Sequence, residues 1–282
     1  MKKHTNMMSV DVEDYFQVSA FEKNISRDNW DKLPCRVAEN TNRVLDLFAE
    51  NNAKATFFVL GWVAERYPEI VRRIVNEGHE LASHGYGHRR VTDLTPDEFR
   101  SDLIKSSAIL EDIGGVKLKG YRAPSYSIVS ENLWAHDILA ECGFVYSSSV
   151  YPIKHDHYGI PDAPRFKYET AAPGLIEFPI STVKKFGRNI PAGGGGFFRL
   201  YPYGVSKWAI NTLNRVDGEQ SIFYFHPWEI DPEQPRQNNL PLKTRFRHYL
   251  NLNRAESRLK KLLRDFNWVR MDSFIETIPV ED

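Results

Sequence analysis

Short apolar runs alternate along this chain with stretches in which apolar residues recur every three or four positions. Residues 8–12 read as a strand that ends in a cluster of acids. Val37, Thr41, Val44, Leu45 and Phe48 share one helical face. Residues 55–60 (ATFFVL) are β-branched and aromatic and predict a buried strand. Ile70, Val71, Ile74 and Val75 mark a helix that stops at Gly78, and residues 79–83 give the next strand. The clearest start signal follows. Thr95 suits an N-cap, Pro96 the first helical position and Glu98 the third position of a capping box, with Leu94 and Phe99 as a hydrophobic staple. Phe99, Leu103 and Leu110 then face inward until Gly114. Further strands are expected over 117–121, 144–147, 175–180, 221–226 and 267–271. Helices are expected from Ser130 to Gly143, near 203–215 and over 255–265.

Strands separated by helices imply a parallel sheet. Roughly eight such units in this length predict an α/β fold, a distorted (β/α)7-8 barrel forming a single domain over 1–282. A C-terminal extension from about residue 232 to 282 should pack on that barrel, and a doubly wound open sheet is the alternative. Two stretches are irregular, 150–173 and 182–201. The second holds Gly193–Gly196, which lacks the Lys-Ser/Thr of a phosphate loop and reads as a mobile loop over the site.

Composition narrows the classes. Apolar residues make up 41% of 282, enough for a sizeable core. Lys plus Arg equals Asp plus Glu at 37 each, which argues against nucleic acid or an anionic membrane as the main partner. Cys35 and Cys142 stand alone, outside any CxxC pair, so neither a disulfide framework nor a thiolate zinc site is expected. The first eight residues carry Lys2, Lys3 and His4 but no apolar core, so no signal peptide is expected. No apolar run approaches a membrane span. A cytoplasmic location suits these features.

The candidate chemistry lies where the strands end, the rim on which barrel active sites are built. The first strand runs into Asp11-Val12-Glu13-Asp14, the third into His84-Gly85-Tyr86-Gly87-His88, the fourth into Arg122-Ala123-Pro124, and the seventh into His226-Pro227-Trp228-Glu229. Two histidines four apart can reach one cation, and in isolation they are as often surface or capping residues. A carboxylate from the DVED cluster would complete a three-ligand site with an open position for water, which suits zinc or a similar divalent metal. A second carboxylate could then take a proton from that water, and a histidine opposite could protonate a leaving amine.

This set resembles the polysaccharide deacetylase family, the NodB-homology or carbohydrate esterase 4-like group. The resemblance runs from about Met8 to Trp228. It implies a distorted barrel and a metal-dependent hydrolase that removes N-acetyl or O-acetyl groups from sugars. Asp11 matches the family's base and Asp14 its metal-binding aspartate, with Glu13 as the other candidate because it shares a strand face with Asp11. His84 and His88 match the metal histidines, with Gly85 where the family has a hydroxyl residue. Arg122 matches the arginine that orients the base, Pro124 a wall of the groove, and His226 the general acid. The family's fourth motif brings an aspartate partner for that arginine, whereas this chain reads Tyr146-Ser147-Ser148-Ser149. The resemblance implies a divalent zinc ion, or cobalt, nickel or manganese, as cofactor and an acetylated glycan as substrate. The SVDVEDYFQV opening, RAPSYS and HPWEID are similar to the subgroup of exosortase-linked exopolysaccharide loci, which implies a polysaccharide or its lipid-linked precursor.

Tyr126 and Trp228 are candidates to stack on sugar rings, while Trp62 is expected in the core. His136, His155, His157 and His248 show no partner pattern. An amidase of the same fold acting on a small amide, and a non-catalytic carbohydrate-binding module, are the competing functions. The intact set Asp11, Asp14, His84, His88, Arg122 and His226 argues against the module.

Overall fold

A computed structural model describes residues 4–155, 158–237 and 239–275. In chain order the elements begin with β1 (Thr5–Val12), α1 (Val37–Glu50), β2 (Thr56–Val59), α2 (Gly61–Arg66), α3 (Pro68–Asn76) and β3 (Glu80–Ser83). Then come α4 (Pro96–Gly114), β4 (Gly120–Tyr121), α5 (Trp134–Glu141), β5 (Tyr146–Ser147), β6 (Tyr168–Glu169) and β7 (Ile176–Glu177). A hairpin of β8 (Thr182–Lys185) and β9 (Arg188–Pro191) precedes α6 (Gly195–Leu200) and α7 (Tyr203–Thr212). The chain finishes with β10 (Ile222–Phe225), α8 (Leu242–Tyr249), α9 (Leu252–Asp265) and β11 (Asn267–Val269).

The main sheet runs β10-β1-β2-β3-β4-β5-β7-β6, with β11 joined to the start of β1. All its pairings are parallel except β6 with β7. It curls into an incomplete barrel. β1 is buried on both faces from Asn6 onward, as a central parallel strand should be. Val10 and Val12 pack outward with Phe57, Val59 and the α1 residues Val44 and Phe48. Met7, Phe58, Tyr146, Phe178 and Tyr224 form a second cluster in the interior. Alternation along β1 sends Ser9 and Asp11 to the interior side, where both meet Arg122.

The expected elements are present, but several strands are shorter. Of residues 117–121 only Gly120–Tyr121 pairs, and of 175–180 only Ile176–Glu177. The capping box forms as expected: Glu98 N–H donates to Thr95 Oγ1 and Thr95 N–H to Glu98 Oε2. Ser130 does not cap a continuous helix. A single 3-10 turn intervenes, held by Val129 N–H donating to Asn132 Oδ1, and α5 starts at Trp134. The helix expected over 255–265 begins earlier, at Leu252, and is separated from α8 by Asn251 with φ 54°.

The glycine run differs most from expectation. Gly193, Gly194 and Gly195 are buried and help close the barrel rather than hanging over it. Tyr224 N–H donates to the Gly193 carbonyl at 2.7 Å, Ala192 N–H to Ser181 and Ile180 N–H to Val150. Irregular chain thus spans the interval between β7 and β10. Gly194 has φ 114°, and a Cβ there would lie 2.1 Å from the Tyr224 carbonyl oxygen, so only glycine fits. No helix among the described residues is long and apolar enough to cross a membrane.

Candidate active site

Glu13, His84 and His88 bring a carboxylate oxygen and two ring nitrogens within 4.8 Å of one another, all on buried side chains. His84 follows β3 directly. Its Nδ1 lies 2.8 Å from the Arg122 carbonyl, which can only accept, so Nδ1 carries the proton and Nε2 keeps its lone pair. Burial pushes this imidazole down to about 4, against the pull of Asp11 and Glu13, so the ring is neutral and able to bind a cation. His88 is carried on a backbone with φ 51°. Arg27 fixes that turn by donating to the Gly87 and His88 carbonyls at 2.8 and 3.0 Å. Gly85 has φ 74°, and a Cβ there would come 2.7 Å from Asp102 Oδ2, so a side chain at this position would crowd that acid.

The carboxylate in this cluster is Glu13, not the expected Asp14. Glu13 continues the inward parity of Ser9 and Asp11, whereas Asp14 turns to the helical layer. Asp14 Oδ2 accepts from Arg36 and Val37 N–H at 2.6 and 2.9 Å, and Oδ1 from Tyr15 N–H at 2.8 Å. It therefore caps the start of α1 from outside that helix. Burial raises Asp14 to about 6 despite these donors.

Glu13 Oε1 accepts from Trp228 Nε1 at 3.2 Å. Its Oε2 lies 2.7 Å from His88 Nε2, yet without hydrogen-bond geometry, and no donor reaches this buried oxygen. Burial alone would raise Glu13, but His88, His226 and His84 hold it down to about 2.

Asp11 sits beside this cluster. Its Oδ1 accepts from Arg122 Nη1 at 2.6 Å. Arg122 is fully buried and spends its other donors on Ser9 Oγ (2.8 Å), Ser148 Oγ (2.9 Å) and the Ser148 carbonyl (3.1 Å), above the Phe58 ring. The partner that the fourth family motif would supply as an aspartate is here a serine.

His226 faces both acids, with Nε2 3.6 Å from Glu13 Oε1 and 3.9 Å from Asp11 Oδ2. Its Nδ1 bonds Glu229 Oε1 at 2.7 Å, and Glu229 Oε2 accepts from Arg199 Nε at 2.6 Å. Burial opposes charge on this ring, but Glu13, Glu229 and Asp11 outweigh it and raise His226 to about 9. Glu229 falls to about 2, since Arg199 and His226 overcome its burial.

Sequence reasoning missed Glu229, Arg199 and Ser148. Glu229 closes the HPWE run three residues beyond His226, and Ser148 lies in the 146–149 stretch that stands at the fourth motif, but nothing local marks Arg199. The aromatic candidates also sit differently. Trp228 is 5% exposed and stacks between His226 and His248, so it supports the site rather than offering an open face. Tyr126 is buried against Tyr151 and Tyr224, and Pro124 is buried too. Trp62 packs edge-on against Phe16 and Trp30 in the core, as expected. His136 lies 3.5 Å from Glu177, His248 bonds Gln234, and His155 stacks on Tyr158, while His157 lies outside the described residues.

Residues 28–147 match the family described as Polysaccharide deacetylase, and residues 148–276 match a domain of unknown function, DUF3473. Over residues 28–147, less than half of its length, the chain is similar to polysaccharide deacetylase domains of the NodB-homology type. The two matches meet at the end of β5, inside the sheet, and His226 from the second reaches Asp11 and Glu13, which precede the first.

A peptidoglycan-N-acetylglucosamine deacetylase of Bacillus cereus is 42% identical over 98 residues, 34% of this chain and 36% of that protein. A chitooligosaccharide deacetylase of Bradyrhizobium sp. is 32% identical over 100 residues, 36% of this chain and 43% of that one. The match thus spans less than half the length of either relative. Among solved structures, a polysaccharide deacetylase-like protein of Mycobacterium smegmatis superposes with TM-score 0.64 at 21% identity, covering 95% of this chain and 87% of that one. A CE4 family pseudoenzyme mutant with restored enzymatic activity gives TM-score 0.50 at 16% identity over 96% of this chain and 67% of that one. These likenesses show the fold.

Proposed function

We propose that this protein is a divalent-metal-dependent deacetylase of an N-acetylated glycan. The observation that carries the reading is the buried Glu13-His84-His88 cluster flanked by Asp11 on Arg122 and by His226 on Glu229. Glu13, His84 and His88 would hold the ion. Glu13 Oε2, a buried acceptor without a donor, and a neutral His84 with a free Nε2 both fit a cation. Zinc is the first candidate for a set of two imidazoles and one carboxylate, with cobalt, nickel and manganese as alternatives. An ion bound there supplies Lewis acidity towards a carbonyl and a water.

The remaining chemistry belongs to this chain. Asp11 accepts the proton of the attacking water, and Arg122 fixes the carboxylate's direction. His226 donates from Nε2 to the departing amine, and the neighbouring carboxylates of Glu229 and Asp11 favour the protonated ring that this needs. Glu229 and Arg199 hold the ring through Nδ1, and Trp228 supports one face. The exopolysaccharide setting rests on the likeness of SVDVEDYFQV, RAPSYS and HPWEID to one family subgroup.

Acetate release from a panel of N- and O-acetylated oligosaccharides and small amides, with and without a chelator, tests the reading. Chelator-sensitive release from an N-acetylated glycan is expected. Cleavage of a small amide alone would transfer the site to amidase chemistry.

A further inference from the structure

β5 ends after two residues, at Ser147. The reason lies on β7, where Glu177 pairs with Ser147 in the sheet register. Glu177 Oε1 accepts two consecutive backbone donors, Ser149 N–H at 2.7 Å and Val150 N–H at 2.9 Å. A side chain thus takes the bonds that a neighbouring strand would take, and the backbone turns away. The same turn is held by Phe178 N–H donating to the Ser147 carbonyl and by Ser148 Oγ donating to the Phe178 carbonyl. Ser149 Oγ in turn accepts from Ala123 N–H, next to Arg122.

The turn opens on Ser148, which supplies two acceptors to Arg122, and Arg122 meets Asp11. A continuous path of bonds therefore runs from Glu177 through the turn at residues 148–150 to Arg122 and on to Asp11. The other Glu177 oxygen, Oε2, faces His136 Nε2 at 3.5 Å, and neither atom has a hydrogen-bond partner. Glu177 is fully buried, and a buried carboxylate that served only to fill space would cost more than an apolar side chain of similar size.

We infer that Glu177 is a positioning residue of the active site: it fixes the serine turn that holds Arg122 against Asp11. The inference rests on the deacetylase reading for its catalytic consequence, but its structural content stands apart from turnover.

Two readouts separate these. The first is kinetic, on the acetylated substrate that the panel identifies. Glu177→Ala should lower kcat about 10–100-fold through a misplaced Arg122 and Asp11, with KM and metal content near wild type. Glu177→Gln keeps an oxygen for the two N–H donors and should restore most of kcat. In an Arg122→Ala background, Glu177→Ala should cost nothing more, because its route to Asp11 is already gone. The second readout is solvent exchange of the Arg122 Nε–H by NMR, which needs no turnover. Exchange should be slow in wild type and Glu177→Gln and fast in Glu177→Ala. Should Glu177→Ala fail to fold, Glu177→Asp shortens the reach and carries the same expectation. Multiplicative losses in the double variant, or unchanged Arg122 exchange in the single variant, overturn the inference. Accelerated exchange in a protein that releases no acetate from any substrate would uphold the positioning role and reject the deacetylase reading.

Discussion

Asp11 Oδ1 and Arg122 Nη1 lie 2.6 Å apart on two buried side chains, the ends of two different strands locked together at the barrel rim. Arg122 is the largest fully buried side chain among the described residues, and each of its nitrogens is bonded. Such a pair does not announce extra stability, since desolvation offsets the attraction, but its halves are not separable. Arg122→Ala is expected to destabilise the fold by about 3–5 kcal/mol, the cost of leaving a buried charge without its partner. Chemical denaturation measures this, and a loss below about 1 kcal/mol, the size of an exposed pair, would mean that water or another cation reaches Asp11.

Glu13 and Asp14 are adjacent and have different work. Glu13→Gln should abolish most binding of one divalent ion per chain, as should His84→Ala or His88→Ala. Asp14→Ala should keep the ion and instead lose about 1–2 kcal/mol of stability with the cap of α1. Elemental analysis and thermal melts on the same preparations distinguish the two. Full metal occupancy in Glu13→Gln with depletion in Asp14→Ala would return the ligand role to Asp14.

Much of this was legible in the sequence, and the misses have physical causes. The alternation of strands and helices gave the barrel, and the residues after each strand gave the rim. The two carboxylates were ambiguous because both orders are compatible with DVED. Strand parity favours Glu13, while family position favours Asp14, and the donors at Arg36 and Val37 that engage Asp14 lie 22 and 23 residues away. Arg199 and Glu177 meet their partners through tertiary contacts with no local pattern. Gly193–Gly195 looked mobile because glycine runs often are, but here the absent side chains admit β10 at close range.

Protonation of His226 should set the alkaline limb of the kcat/KM profile. Glu229 is one of the carboxylates that raise this histidine, so Glu229→Gln removes an anion that favours the charged ring. The alkaline limb should move to lower pH in that variant. A profile identical to wild type would mean that another group sets the limb.

His79 offers a stability test away from the site. It is buried, its Nδ1 accepts from Ala55 N–H at 3.1 Å, and burial lowers it from 6.5 to about 4. The unfolded chain binds a proton here near pH 6.5 and the folded one does not, so this group's contribution is complete above pH 6.5 and is lost as pH falls towards 4. The full effect is on the order of 3 kcal/mol. His79→Asn, which keeps an acceptor but does not titrate, should lose stability less steeply than wild type over that interval. Parallel pH curves from denaturant titrations would contradict it.

The most direct test of the account is acetate release by metal-loaded wild type and Asp11→Asn on one confirmed N-acetylated glycan. Asp11→Asn should bind the ion as wild type does, since Glu13, His84 and His88 are intact, and should lose about 10²–10⁴-fold in kcat as a general base is removed. Near-normal turnover in Asp11→Asn at equal metal content would contradict the mechanism.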